Sequence, residues 1–330
     1  MSTPVRVLVT IDTEEDDWWF RSHSEVSVEN IRCLTELRAV WERFGVRPTY
    51  FVNYLPLASR HSAEVLTEIA QAGDCEMGGH CHPWTTPPLR EVDGPGPPVT
   101  MMNRISDEEN HDKLSRLTDL FMEVFRFRPN SFRAGRWGFG PSVARPLRDL
   151  GFTVDASVSP LLDWEPIGGP DYSRSRQVPY RFDPDDPFTP VEEGSMTEVP
   201  TSVGFLWGFH RLSGSVRTHL ERSPARHLKI TGLLDTLGPL ARRWLSPETS
   251  SIREMTRLSK ALVRSGVRVL DLTFHSSTLL PGATPFVRNE ADKKRFLGKI
   301  ETFIEFCSQQ GFNFATVSEV ADEIRTGVSP

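Results

Sequence analysis

The sequence predicts an α/β chain that closes into a β/α barrel, and three observations carry that prediction. Seven short apolar or β-branched runs are separated, for the most part, by segments of helical spacing, the alternation that builds a parallel sheet or barrel. Few gaps between the runs are wide, which favours one barrel over two domains. Several runs stop at an ionisable residue, and strand C-terminal ends meet at one mouth of a parallel barrel.

The predicted strands are Val5–Ile11, Thr49–Asn53, Cys75–Gly78, Ser131–Arg133, Phe152–Asp155, Val267–Phe274 and Phe314–Thr316. After the first, Ile31, Leu34, Leu37, Val40, Trp41 and Phe44 fall on one helical face, and Gly45 ends it. His61–Ala72 reads as a helix stopped at Gly73. Ser106-Asp107-Glu108-Glu109 has the spacing of a capping box and opens a helix to about Phe125. Pro141 suits a first helical position, with the helix ending before Gly151. Asn289–Gln310 carries Phe296, Ile300, Phe303, Ile304 and Cys307 on one stripe.

Two stretches interrupt the alternation. Pro83–Arg104 is rich in Pro and Gly and reads as a long ordered or lid loop after the third strand. Ser157–Pro247 is a larger insertion between strands five and six. Its first part is rich in Pro and Asp; its second, Arg211–Leu245, is locally basic and of helical pattern. The expected organisation is one domain over residues 1–330, with 157–247 as a subdomain covering the barrel mouth.

With 38% apolar and 25% charged residues and a net charge of −6, the composition is that of a globular protein and gives no electrostatic case for nucleic-acid binding. The four cysteines, Cys33, Cys75, Cys81 and Cys307, include no C-x-x-C pair, and are read as reduced thiols of a cytoplasmic protein. The chain enters a strand pattern directly, without a signal-peptide apolar stretch, and no run approaches a membrane span. Apolar and basic residues alternate over Arg226–Leu245 in a way that would suit a membrane surface; packing of that segment on the barrel is the preferred reading.

The chemistry gathers at the strand ends. Gly78-Gly79-His80-Cys81-His82-Pro83-Trp84 sets two histidines two residues apart, so in an extended segment both point to one side and Cys81 points to the other. Two neutral imidazoles with a carboxylate make a divalent-metal site. The first strand supplies Asp12, with Glu14 two residues on; Glu15-Asp16-Asp17 reads as a solvated acidic turn. The fourth strand supplies Arg133 and Arg136, the fifth Asp155 with Asp163-Trp164 beyond, and the sixth His275. Arg133 is expected to pair with Asp155 or Asp163. Trp18, Trp19, Phe20, Trp137 and Trp207 are read as core residues that would also suit stacking on a sugar face.

Taken in order, these segments resemble the polysaccharide deacetylase family, the NodB-homology domain of carbohydrate esterase family 4, over roughly Val5–Thr316 apart from the insertion. The resemblance implies a distorted (β/α)7 barrel and five motifs around a divalent metal. Asp12 matches the catalytic base of the first motif, while Thr13 stands at its ligand position, leaving Glu14 or Glu15 as substitutes, Glu14 preferred. In the His-x-x-x-His second motif, His80 matches the first histidine, Trp84 stands at the second, and His82 is an irregular replacement. Phe132–Gly138 resembles the third motif, in which Arg133 would orient the base. Asp163-Trp164 resembles the fourth, with Asp155 in competition; Leu272–His275 resembles the fifth, which supplies an apolar wall and the catalytic histidine.

What this implies is metal-dependent hydrolysis of an amide, N-deacetylation or N-deformylation, on an N-acylated sugar or glycan, with zinc as the expected ion. Glu14, His80 and His82 would hold the metal; Asp12, His275, Arg133 and Asp163 would form the catalytic group. A branch associated with exopolysaccharide or surface-glycan assembly is the nearest likeness. Thr13 and Trp84 motivate one alternative, a glycan-binding or assembly protein that kept the barrel and lost catalysis. The other is an enzyme acting on a small N-acyl or N-formyl amide such as a nucleotide sugar.

Overall fold

The computed structural model describes residues 4–16, 26–89, 100–207 and 241–327. In chain order its strands are β1 (Arg6–Thr13), β2 (Thr49–Val52), β3 (Glu76–Cys81), β4 (Ser131–Ala134), β5 (Val154–Asp155), β6 (Tyr180–Asp183), β7 (Asp186–Pro190), β8 (Met196–Glu198), β9 (Val203–Phe205), β10 (Arg242–Trp244), β11 (Val269–His275) and β12 (Asn313–Phe314). The main sheet runs β11-β1-β2-β3-β4-β5-β8-β6-β7, with β12 beside β1. From β11 to β8 all neighbours are parallel; β6 and β7 add an antiparallel edge. Between β8 and β11 loop contacts take over: Asp271 N donates to Ser202 Oγ (2.9 Å), Leu245 N to Ser202 O (2.8 Å) and Thr273 N to Leu245 O (3.1 Å).

The helices are α1 (Arg38–Phe44), α2 (Tyr54–Ala58), α3 (Arg60–Gln71), α4 (Asp107–Phe125), α5 (Pro141–Asp149), α6 (Ile252–Arg264), α7 (Glu290–Gln309) and α8 (Val317–Thr326). None is long and apolar enough to cross a membrane. Along β1 the pleat divides the work. Val7, Val9 and Ile11 join the large core with the aliphatic and aromatic residues of the helices, whereas Leu8 packs with Phe51, Val154 and Val269. Val317, Val320 and Ala321 of α8 close that second cluster from below. Thr10 and Asp12, two and four residues beyond Leu8, lie on its side of the strand and lead up to the open end.

Three expectations change. The seventh parallel strand is Met196–Glu198, inside the stretch read as an insertion; Phe314 instead contributes to the short β12 on β1. Three residues, two of them polar, show no apolar periodicity, and the parallel ladder to β5 is what makes them a strand. The helix expected from Val28 is 3-10 over Glu29–Leu37 and α only from Arg38. Of Arg211–Leu245, residues 211–240 lie outside the described residues, and Arg242–Trp244 is a strand antiparallel to β9, not helix. Trp18, Trp19 and Phe20 also lie outside them, as does most of the Gly-Pro loop after residue 89.

Parallel pairing of β5 with β8 sets Asp155 opposite Glu198, both fully buried. Ser157 donates to Asp155 from its backbone N–H (2.9 Å) and its hydroxyl (2.7 Å), and Glu198 Oε1 accepts from Val158 N (3.0 Å). Burial and the adjoining Asp155 charge push Glu198 well above the carboxylate range, so it keeps its proton and donates it to Asp155; burial pushes Asp155 up to about 6. A raised folded-state pKa gives stability that is fully present below the unfolded value and lost as pH rises. Each pH unit of mismatch is worth about 1.4 kcal/mol. Glu198→Gln keeps the shape and the donor but needs no protonation. It is expected to stabilise the protein at pH 7.5 and to have little effect at pH 4.5, measured by urea unfolding at the two pH values.

Candidate metal and catalytic site

The site is built from the ends of β1, β3, β4 and β11. Gly79 and His80 prolong β3 beyond its predicted end because β4 pairs with them: Gly79 lies opposite Phe132 and His80 opposite Arg133. His80 and His82 thus leave the strand on one side. His80 Nδ1 lies 2.8 Å from Arg133 O, and His82 Nδ1 lies 2.8 Å from Glu15 Oε1. A carbonyl and a carboxylate only accept, so in the neutral rings each Nδ1 carries the hydrogen and each Nε2 a lone pair. The two Nε2 atoms stand 3.2 Å apart, and Glu14 Oε2 lies 3.3 Å from His82 Nε2 and 3.7 Å from His80 Nε2.

Three acceptor atoms therefore converge, all within 4.8 Å of one another, on residues no more than 2% exposed. Glu14 Oε2 is a buried oxygen without a hydrogen-bond donor among the described residues. Burial pushes the Glu14 carboxyl well above its usual range and pushes His80 down to about 3. What such a set fits is a cation, which would hold Glu14 ionised and satisfy all three lone pairs. Glu14, His80 and His82 could hold a divalent ion, with the Arg133 carbonyl and Glu15 fixing the ring tautomers from behind. His82 also stacks on Trp84, centroids 4.2 Å apart, so Trp84 supports the ring rather than replacing it.

The catalytic candidates lie beside this group. Asp12 and His275 are register partners across β1 and β11. Asp12 Oδ1 accepts from Arg133 Nη1 (2.8 Å), and Asp12 Oδ2 faces His275 Nε2 at 3.9 Å. Arg133 is wholly buried. It also donates to Asp271 Oδ2 (3.1 Å), Thr10 Oγ1 (2.9 Å), Thr273 Oγ1 (3.1 Å) and Ala156 O (2.9 Å), with Phe51 beneath its guanidinium. Burial alone would raise the Asp12 carboxyl, but Arg133, His80 and His275 together hold it below its usual value. His275 Nδ1 is 3.0 Å from Glu248 Oε2, and Glu248 Oε1 accepts from His275 N (3.0 Å) and Thr278 Oγ1 (2.6 Å). Burial lowers His275; the charges of Glu248, Glu14 and Asp12 more than reverse that, to about 10. Asp12, Glu14, His80, His82, Glu248 and His275 line a cavity of about 230 Å³ whose wall includes Trp137, Trp164 and Trp244.

Solved structures with this architecture exist, although no protein-family model and no curated protein matches the sequence. A provisionally assigned polysaccharide deacetylase from Mycobacterium smegmatis superimposes with a TM-score of 0.57 at 15% identity, covering 100% of this chain and 94% of that one. A provisionally assigned glycoside hydrolase or deacetylase from Parabacteroides distasonis gives a TM-score of 0.60 at 12% identity, covering 98% of this chain and 72% of that one. The chain has the polysaccharide-deacetylase fold.

On the deacetylase fold, this chain places its candidate residues differently from expectation in several respects. Arg133 pairs with Asp12 and Asp271, not with Asp155 or Asp163. Asp155 bonds Ser157 and Glu198, and Asp163 lies in a half-buried turn where its Oδ1 accepts from Glu165 N (3.0 Å); its neighbour Trp164 is the one that lines the cavity. Glu15 and Asp16 are buried rather than solvated: Glu15 holds His82, and Asp16 accepts from Glu29 N and Asn30 N, fixing the turn that follows β1. Thr13 is turned to its own strand, its hydroxyl on Ile11 O (3.1 Å). Trp207 is 54% exposed under Arg257, away from the cavity lining. Two participants were missed. Asp271 had a readable signal, a lone acid within the apolar Val267–Phe274 run; Glu248, just past the insertion, had none. Glu15, expected in a solvated turn or as a substitute ligand, instead lies behind the His82 ring.

Gly135 shows how tightly the histidine side is built. A Cβ there would sit 2.4 Å from His82 Cδ2 and 2.6 Å from Cys81 O. Gly135→Ala is expected to displace His82 and weaken metal binding by roughly tenfold to a hundredfold, the usual effect of disturbing a ligand's supporting contacts. Competition with a chromogenic chelator measures this, with circular dichroism as the control for folding.

Proposed function

We propose that the protein is a metal-dependent hydrolase that removes an N-acyl group, acetyl or formyl, from a sugar or glycan. The observation that carries this reading is the convergence of Glu14 Oε2 and two histidine Nε2 atoms on one point, beside a cavity that also presents Asp12 and His275. Two imidazoles and a carboxylate are a zinc donor set, and zinc bound there would supply Lewis-acid polarisation of the acyl carbonyl. Asp12 Oδ2, with Oδ1 held by Arg133, is placed to accept the proton of an attacking water. His275 Nε2, across the 3.9 Å gap, is placed to give a proton to the departing amine, while Glu248 holds Nδ1–H and stabilises the imidazolium. Arg133 keeps Asp12 ionised and oriented, and Asp271 holds the far side of the guanidinium.

In this reading the 157–247 stretch covers the mouth, contributing Trp164, Ile167, Trp244 and Ser246 to the lining. The four cysteines are free thiols, which suits a cytoplasmic site of action. The test is metal analysis of the purified protein with a screen for acetate or formate released from N-acylated sugars. A stoichiometric divalent ion is expected, with release that chelation abolishes and zinc restores. Metal-replete protein that releases neither acid from any N-acyl sugar would overturn the reading.

A further inference from the structure

His82 is a candidate metal ligand that its own strand does not hold. β3 ends at Cys81, whose pairing with Ala134 is the last on the ladder to β4. One residue further on, the ladder no longer fixes the direction of a side chain. Other groups take over both backbone atoms. His82 N donates to Asn53 Oδ1 (3.4 Å), and His82 O accepts from Thr85 N (3.1 Å) and Thr86 N (3.0 Å), which turns the chain back on itself.

The carbonyls of that turn point into the interior, where they need donors. Lys113 of α4, 1% exposed, supplies them: its ammonium donates to Pro83 O (3.0 Å), Thr86 O (3.0 Å) and Pro88 O. Burying an ammonium is costly, so its place there has to be accounted for. An ammonium carries three donors that spread as a tripod, and three carbonyls of one short loop converge on it. Glu109, one helical turn earlier on α4, lies 3.9 Å from Nζ as a counter-charge.

Asn53 works from the other side. Wholly buried just past β2, it accepts from Tyr54 N (2.7 Å) as the cap of α2 and donates to Glu15 Oε2 (2.8 Å). Glu15 Oε1 in turn holds His82 Nδ1 (2.8 Å). One amide therefore reaches His82 twice, at its backbone and, through Glu15, at its ring. Trp84, stacked on that ring, belongs to the loop that Lys113 gathers.

We propose that Asn53 and Lys113 are positioning residues that aim His82 Nε2 at the metal position, standing in for a strand that ends one residue too soon. The proposal rests on the Glu14, His80 and His82 site and extends it to the groups that keep one of its ligands in place.

Two measurements test it: zinc affinity by competition with a chromogenic chelator, and the visible spectrum of cobalt(II) in the same site, which reports ligand geometry. Asn53→Ser keeps an oxygen for the α2 cap and loses the donor to Glu15. Lys113→Gln removes the charge and one of the three donors. Each is expected to weaken zinc binding roughly tenfold to a hundredfold, as loss of a ligand's support does, and to alter the cobalt spectrum. Ile304→Ala, a core truncation on α7, controls for lost stability. It is expected to unfold at lower urea with wild-type affinity and spectrum. Circular dichroism shows whether each variant is folded, and Asn53→Ser alone decides the matter if Lys113→Gln is not. Wild-type affinity in either folded variant, or equal weakening in Ile304→Ala, would overturn the proposal. A wild type that binds no divalent ion overturns the metal site itself and this proposal with it, so the two failures are told apart.

Discussion

Asp12→Asn is expected to lower turnover by roughly 10²–10⁴-fold, the usual contribution of a positioned general base, while the protein stays folded and metal-loaded. The side chain keeps an oxygen for Arg133 Nη1, so the contact at 2.8 Å survives. What is lost is the oxygen that faces His275, replaced by an amide that cannot take a proton. Asp12 is not among the three atoms that converge at the metal group, so metal content should match the wild type. Steady-state kinetics on any N-acyl sugar that the wild type hydrolyses, with metal analysis of the same sample, makes the comparison. Wild-type rates in the variant would exclude Asp12 as the base.

His275→Ala should cost a similar factor, roughly 10²–10⁴ in kcat, with a much smaller change in KM, since protonation of the leaving amine belongs to the transition state. Here pH adds a second readout. The neighbouring carboxylates raise His275 to about 10, burial opposing them, so the imidazolium persists through neutral pH and is lost as pH rises. Activity that depends on that proton falls on the alkaline side. Glu248→Gln withdraws the largest of the raising charges, and the alkaline limb of the kcat profile should move to lower pH with the fold unchanged. The same ion pairs stabilise the folded chain: that contribution is complete below the ordinary histidine value of 6.5 and fades toward pH 10. A His275→Ala variant with unaltered kcat would remove this residue from the mechanism.

The parts of the molecule legible in the sequence were those with local signatures. Six of the parallel strands follow from apolar runs, and most of the helices from their spacing and caps. Asp12, Glu14, His80, His82, Arg133 and His275 could be picked out because each ends or closely follows such a run. What could not be read was set by pairing between distant segments. Met196–Glu198 is a strand only because β5 offers it a ladder. Asp271 meets Arg133 only because β11 lies against β1, so the expectation of Asp155 or Asp163 as partner followed sequence proximity and missed the sheet order. Glu248 depends on the return of the chain after β10, for which no motif exists.

The register of β1 against β11, Arg6 opposite Val269 through Asp12 opposite His275, fixes an order of events during synthesis. Glu14, His80, His82 and the Arg133 carbonyl all leave the ribosome within the first 133 residues, whereas His275 and Glu248 follow more than a hundred residues later. In the proposed reading, a nascent chain that has paired β1 to β4 carries the three candidate ligands, yet lacks the proposed proton donor. Until β11 docks, β1 keeps an open strand edge, and such long-range parallel pairing is slow. Ion capture would thus precede catalytic competence. In that reading, stalled nascent chains ending before Val269 are expected to retain zinc without releasing acid from any N-acyl sugar.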